Sequence, residues 1–241
     1  LVHRSDLDRH ETRFAVQILR DQIGRHVHPV HRLDKGTSGV LLFAFDAESA
    51  RNVGIQFERD EVAKRYLAIV RGWPAECGRI DHALSRRCDD HGRKLAPADR
   101  PPPRPAITTF RRLATIEVAA TVDRYPQARY ALLELTPETG RQHQLRRHLK
   151  HIAHPIIGDA TWGKGVHNRF FQQHFACHRL LLACTRLEFR HPHSGLPLRI
   201  DAAPEANFAA VAMALGWAAS LACPEVGAGD TVIWREQRAP G

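Results

Sequence analysis

The sequence predicts an α+β fold, with a mixed, mostly antiparallel central sheet flanked by helices and loops. Two observations support this class: segments with strand-like apolar patterns outnumber those with helical periodicity, and many strand-like segments are joined by short turns. The chain has 241 residues, of which 43% are hydrophobic and 25% charged. These proportions are ordinary for a globular protein, and the length is sufficient for one large domain.

The first part of the chain alternates between helical and strand-like patterns. Apolar positions at helical spacing predict two helices, at residues 13–23 and 47–58. A continuous apolar run and an alternating run predict two strands, at residues 39–45 and 64–72. Residues 76–106 contain paired charges followed by clustered prolines, so we expect a loop or hairpin excursion outside the core.

The second part of the chain continues the same alternation. Strands are predicted at residues 107–118, 128–135 and within 180–200, with a turn at residues 192–195. A helix is predicted over residues 140–152, with Thr139 as its N-cap and Gln142 completing a capping box. The last predicted element is an amphipathic helix at residues 205–217. We therefore expect a single domain over residues 1–217, with residues 218–241 as a C-terminal tail.

The charge balance favours a polyanionic partner. Lys and Arg number 35 against 26 Asp and Glu, which leaves a formal net charge of +9. Such an excess is typical of nucleic-acid-binding proteins, although scattered surface charge gives the same total. No apolar run approaches the roughly 20 residues of a membrane helix. The five cysteines are odd in number, widely spaced and free of C-x-x-C, which favours a reducing cytoplasm.

Metal binding is not expected from the histidines near the predicted helix at residues 140–152. Four of them lie close together, at positions 143, 148, 151 and 154. The spacing H-E-x-x-H is absent and no acidic residue lies inside this helix, so the donor set of a zinc site is incomplete.

Three other local patterns suggest chemistry. Asp34 lies in a polar turn between Arg32 and Lys35, just before an apolar strand. Tyr66 follows two cations at a strand start, where an aromatic ring stacks on an unpaired base or simply packs in the core. Arg146 lies beside an apolar position of the predicted helix and can reach a buried carboxylate, whereas a basic helix face is more often merely solvated.

Three segments carry a resemblance to a known family. They read HRLDKGTSG at residues 31–39, KRYLA at residues 64–68, and GRQHQLRRH at residues 140–148 followed by HPIIGD at residues 154–159. Their order and separation resemble the motifs of the RluA-type pseudouridine synthases, and the resemblance covers residues 1–217. It implies the pseudouridine synthase fold, an RNA substrate and isomerisation of uridine to pseudouridine without a cofactor.

The resemblance also implies roles for individual residues. Asp34 is expected to be the catalytic carboxylate, which attacks the nucleoside or abstracts a sugar proton. Arg146 is expected to pair with it, and Tyr66 to stack on the flipped uracil and handle a proton. Other positions are expected to contact RNA: Arg32 in the space of the extruded nucleotide, Leu145 beneath the base, and Arg141, His143 and Lys150 at phosphates.

Within this family, the chain is most similar to bacterial synthases that modify uridine 65 of tRNA. The alternatives are a synthase that acts on ribosomal RNA and a non-catalytic RNA-binding module. The family normally has a further strand before the position of Leu1, so we expect an open sheet edge where that strand is missing. A monomeric, cytoplasmic protein is expected.

Overall fold

The computed structural model describes residues 13–88 and 95–221, in which nine strands form two sheets. The strands are β1 (His28–Pro29), β2 (Ser38–Gly39), β3 (Phe43–Ala44), β4 (Ala63–Arg71), β5 (Cys77–Asp81), β6 (Ile107–Val118), β7 (Ala128–Pro137), β8 (Leu182–Arg190) and β9 (Pro197–Asp201). The predictions for residues 1–12, 89–94 and 222–241, including the open sheet edge and most of the C-terminal tail, lie outside the described residues.

Six α-helices accompany the strands in this part of the chain. They are α1 (Ala15–Ile23), α2 (Ala47–Glu58), α3 (Gln144–His151), α4 (Gly165–Phe175), α5 (Ala206–Ala214) and α6 (Ala218–Leu221). The helices predicted at residues 13–23 and 47–58 are confirmed to within two residues. Asp46 caps α2, because its carboxylate accepts a hydrogen bond from the Ser49 amide.

The main sheet has seven strands in the order β2–β8–β4–β7–β6–β5, and β9 also pairs with β8. All pairs are antiparallel except β2 with β8, which run parallel. The short strands β1 and β3 form a separate antiparallel pair. The predicted α+β class with a mixed, mostly antiparallel sheet is therefore confirmed.

Both faces of the sheet are covered at its centre, and β7 shows this directly. Tyr130 and Leu132 belong to one apolar cluster, which includes residues of α4 and α5. Leu133 and Leu135 belong to another, which includes residues of α3. Because side chains alternate along a strand, a strand covered on both faces is apolar throughout. The result is a rigid scaffold beneath the turns and helix ends that carry the polar residues described below.

Two strand predictions need correction. The apolar run at residues 39–45 is not one strand, because residues 40–42 lie between β2 and β3. The backbone there bonds elsewhere: the Val40 amide donates to the Cys184 carbonyl, and the Leu42 amide donates to the ring of His31. The segment 76–106 is not wholly an excursion, because β5 pairs with β6 as the edge strand of the sheet.

The predicted start of the third helix is also wrong. Helix α3 begins at Gln144, and its N-cap is His143 in a left-handed conformation with φ of 54°. Thr139 does not cap the helix; its hydroxyl accepts a hydrogen bond from the Ile107 amide and donates to Gln144 Oε1. The Ile107 amide of β6 thus binds the Thr139 hydroxyl, which a capping box would use for a helix amide.

Gly39 provides a test of the junction between β2 and β8. Its φ is +107°, and a Cβ at this position would collide with the carbonyl group of Cys184. We expect Gly39→Ala to lower the free energy of unfolding by more than about 1 kcal/mol, measured by urea denaturation. Gly54→Ala is the matched control in α2, where a Cβ meets nothing within 4 Å, and it should raise stability. Equal effects of the two substitutions would contradict this account.

Candidate active site

Asp34 begins a tight turn that leads into β2. The Thr37 amide donates to the Asp34 carbonyl at 2.9 Å, and Gly36 has a φ of +90°, the value required at the third position of a type II turn. The Asp34 side chain keeps 30% of its surface exposed. Since β2 lies beside β8 and β8 beside β4, the turn places this carboxylate near β4 and the N-terminal end of α3.

His31 anchors the segment that precedes this turn. Its Nε2 accepts a hydrogen bond from the Leu42 amide at 3.0 Å, and its ring stacks on Phe57 at a centroid distance of 4.6 Å. Burial lowers the pKa of His31 to about 4, so the ring is neutral near pH 7. His31 therefore has a structural role: it holds the segment that leads into the turn.

Arg146 has a different main partner from the one expected. Its Nε and Nη2 donate to the two carboxylate oxygens of Asp159 at 2.7 and 2.8 Å, whereas its Nη1 lies 3.7 Å from Asp34 Oδ2. The Arg146 and Asp159 side chains are only 7% and 1% exposed. The prediction of a single Arg146–Asp34 pair is thus incomplete, because one guanidinium faces two carboxylates.

Asp159 is the site residue that sequence reasoning missed. Its Oδ1 also accepts hydrogen bonds from the amides of Thr161 and Trp162, each at 2.9 Å. Burial works to raise the pKa of Asp159, but the bonds from Arg146 and these amides lower it below its usual value. The sequence pattern that could have indicated Asp159 is an acidic residue after a short apolar segment, soon after the helix that carries Arg146.

Tyr66 lies at the N-terminal half of β4, opposite Cys184 of β8. Burial raises the pKa of Tyr66 well above its usual value, and the neighbouring Cys184 and Asp34 raise it further. The phenol therefore stays protonated and can donate a hydrogen bond. Its ring packs against the apolar cluster that contains Leu145. The fold thus brings the predicted Asp34, Tyr66, Leu145 and Arg146 to one place.

The predicted RNA-contacting cations are distributed unevenly around this place. The Arg32 side chain is exposed. Arg141 is held by the protein, because its Nη2 lies 3.1 Å from Asp60 Oδ2 and its Nε donates to the Pro105 carbonyl. His143 faces inwards: its Nε2 lies 4.0 Å from Asp34 Oδ1. His143 is thus a neighbour of the Asp34 carboxylate, and 28% of its side chain is exposed.

Trp162 is surrounded by cations. Arg87, Arg147 and Lys150 have their charged groups 4.8, 5.7 and 5.6 Å from its ring centroid. Among the residues that the structure describes, no carboxylate lies within ion-pair distance of any of the three. Burial lowers the pKa of Arg147, and the charges of Arg87 and Arg100 lower it further. Such an uncompensated group of cations is typical of a phosphate-binding surface.

Within residues 13–88 and 95–221, no group of three or more His, Cys, Asp or Glu side chains is arranged to hold a metal ion. His82 and His151 stack at a centroid distance of 3.9 Å, and His148 bonds to Thr108 and to the His82 carbonyl. The histidines near α3 thus take part in packing and hydrogen bonding. In the same ranges, none of the helices has the length and apolar character needed to span a bilayer.

Comparison with known proteins identifies a family. Residues 1–151 match the family described as RNA pseudouridylate synthase. The chain is 49% identical over 217 residues to a Pectobacterium carotovorum protein called tRNA pseudouridine synthase C, covering 90% of this chain and 57% of that one. It is 46% identical over 221 residues to the Vibrio cholerae protein of the same name, covering 92% and 90% of the two chains.

A solved structure shows the same fold. It is that of human RNA pseudouridylate synthase domain containing 1, with a TM-score of 0.60 and 26% sequence identity. The superposition covers 78% of this chain and 72% of the human one. From the sequence matches, the shared fold and the cluster around Asp34, we conclude that the chain belongs to the RNA pseudouridylate synthase family.

Proposed function

We propose that this protein converts uridine to pseudouridine in tRNA, at uridine 65, with Asp34 as the reacting carboxylate. Membership of the family makes it an RNA-modifying isomerase. The choice of tRNA is supported by relatives such as the Vibrio cholerae protein, whose name specifies tRNA. The observation that carries the proposal is the convergence of Asp34, Tyr66 and Arg146 at one end of β4.

The reaction is an isomerisation and consumes no second substrate. The bond between uracil N1 and ribose C1′ breaks, and a bond between uracil C5 and C1′ forms. The proton on C5 leaves and N1 gains a proton, so atoms and electrons balance without an oxidant or reductant. The enzyme therefore needs one reactive carboxylate, a pocket that holds the detached base, and groups that handle protons.

Nitrogen atoms of two side chains lie near the two oxygens of the Asp34 carboxylate. Arg146 Nη1 lies near one of its oxygens and His143 Nε2 near the other. These neighbours would attract and orient the carboxylate, and the attraction would strengthen when bound RNA excludes water. The remaining exposure of Asp34, 30% of its side chain, is where the ribose would approach.

Tyr66 and Leu145 form the apolar wall beside Asp34. An extruded uracil would stack on the Tyr66 ring, since a flipped base is normally held by aromatic and apolar side chains. The raised pKa of the phenol suits it to donate a proton or hydrogen bond to the uracil, and not to act as a base at neutral pH. Arg32, exposed close to Asp34 in the chain, would take the space that the extruded nucleotide leaves.

The surface around Trp162 would carry the RNA backbone. Arg87, Arg147 and Lys150 converge there, and Trp162 contacts His143, which faces Asp34. Within residues 13–88 and 95–221 no carboxylate pairs with these cations, so a phosphate next to the target nucleotide would bind between them. Arg141 is already paired with Asp60, so it would contribute less to phosphate binding than these three cations.

Asp34→Asn tests the reacting role. We expect this variant to release no tritium from tRNA labelled at uracil C5, because an amide neither attacks the nucleoside nor accepts a proton. Its affinity for tRNA should match that of the parent protein. Asp21→Asn is the control, since it neutralises an exposed carboxylate in α1 and should leave turnover unchanged. Turnover by Asp34→Asn would remove Asp34 from the role.

The target is decided by mapping pseudouridine in tRNA and ribosomal RNA from cells with and without the gene. Loss at uridine 65 of tRNA supports the proposal. Loss only in ribosomal RNA would favour the first alternative described above. Tight RNA binding by the purified protein with no pseudouridine in either RNA would favour a non-catalytic module.

Asp159→Asn tests the buried partner of Arg146. We expect the free energy of unfolding to fall by about 3–5 kcal/mol, because the substitution leaves a buried guanidinium without its main counter-charge. Glu117→Gln is the matched control: it breaks the exposed pair with Arg129 and should cost less than about 1 kcal/mol. Chemical denaturation measures both, and similar losses for the two variants would contradict the account.

Lys150→Gln tests the RNA-binding surface. One phosphate contact contributes roughly one unit to the slope of log affinity against log salt. We expect the variant to bind tRNA more weakly at low salt and with a slope smaller by about one unit, while kcat at saturating tRNA is unchanged. Arg129→Gln is the control. Arg129 is already paired with Glu117, so this variant should keep the parental slope of log affinity against log salt.

A further inference from the structure

His143 occupies an unusual backbone position beside the reacting carboxylate. It is the N-cap of α3, its φ is 54°, and its side chain makes no capping hydrogen bond. Only a small fraction of non-glycine residues adopt this left-handed conformation, and histidine is among those that tolerate it. The conformation directs the ring away from the helix amides and towards Asp34, with Nε2 4.0 Å from Oδ1.

The other ring nitrogen of His143 has a partner that determines its protonation. Trp162 Nε1 donates a hydrogen bond to His143 Nδ1 at 3.2 Å. An indole N–H is a donor only, so the Nδ1 that receives it must carry a lone pair and no proton. The proton of the neutral ring is therefore on Nε2, the nitrogen that faces Asp34.

We propose that Trp162 is a positioning residue, which holds His143 as the neutral Nε2–H tautomer so that this N–H orients the Asp34 carboxylate. Arg146 Nη1 then faces one carboxylate oxygen and His143 Nε2–H the other. The inference rests on the proposed function, because that function gives Asp34 the reacting role. A neutral donor orients the carboxylate without the full neutralisation that a second cation would cause.

The charges around His143 are consistent with a neutral ring. Burial lowers its pKa; Asp34 and Asp159 oppose this change, while Arg146 and Arg147 add to it. Protonation of Nδ1 would also point a new N–H at the Trp162 N–H, and two donors repel each other. Trp162 itself is fixed by its backbone amide, which donates to Asp159 Oδ1 at 2.9 Å.

Trp162→Phe is the direct test, because it removes the N–H and keeps an aromatic ring. Trp73→Phe is the matched control, since the Trp73 N–H donates to the Ile116 carbonyl on β6. The first measurement is the nitrogen–proton correlation spectrum of the histidine rings in the full chain, with the His143 signals assigned from their absence in His143→Gln. We expect His143 to carry its proton on Nε2 near pH 7 in the parent and in Trp73→Phe.

In Trp162→Phe, we expect His143 to titrate at higher pH, because the opposing donor is gone while Asp34 still attracts a charge. The acid limb of kcat, measured at saturating tRNA, should move upwards by about one pH unit, equivalent to about tenfold in the protonation equilibrium. In a His143→Gln background, the same substitution should leave this limb unchanged, because Trp162 acts through His143.

Three results would overturn the inference. They are a proton on Nδ1 in the parent protein, a Trp162→Phe spectrum and pH profile that match those of Trp73→Phe, or a shift of the acid limb that persists in the His143→Gln background. The spectra need no turnover. If the parent made no pseudouridine, the proposed function would fail, whereas the position of the His143 proton would still be measured.

Discussion

The buried ion pair between Arg146 and Asp159 is the interaction on which the site depends. Two charges removed from water require each other, and here the carboxylate also accepts two backbone amides, one of them from Trp162. The Asp159 carboxylate therefore positions two neighbours of Asp34. It binds Arg146 directly, and it positions His143 through Trp162. Arg146 is held beside Asp34 with its Nη1 3.7 Å from Oδ2, while the Asp34 side chain keeps 30% of its surface exposed.

The sheet supplies the rigidity that this arrangement needs. The central strands β4 and β7 are covered on both faces, and their apolar residues are almost fully buried. The site residues lie at the margin of this core: Asp34 in the turn before β2, Tyr66 in the first half of β4, and Arg146 in the first turn of α3. Packing against the core stabilises positions that exposed loops alone would not maintain, while the Asp34 side chain keeps 30% of its surface exposed.

Burial also leaves three titratable side chains of the site region uncharged. It lowers the pKa of His31 and His143 and raises that of Tyr66, so all three are neutral near pH 7. Asp159 and Arg146 then form a buried ion pair at the centre, with further cations at the surface around Trp162. Of the cations described here, Arg146 is the one whose guanidinium approaches Asp34, with Nη1 3.7 Å from Oδ2.

The sequence by itself determined the fold class, most helices and strands, and the segments that carry Asp34, Tyr66 and Arg146, because each rests on local periodicity or on a continuous motif. It did not determine that Asp159 is the main partner of Arg146, that His143 and not Thr139 occupies the N-cap position of α3, or that residues 77–81 form an edge strand. Those outcomes were decided by tertiary structure, because competing partners for a guanidinium, a hydroxyl or a strand edge are separated in sequence. Only folding establishes which of them is close enough to bond.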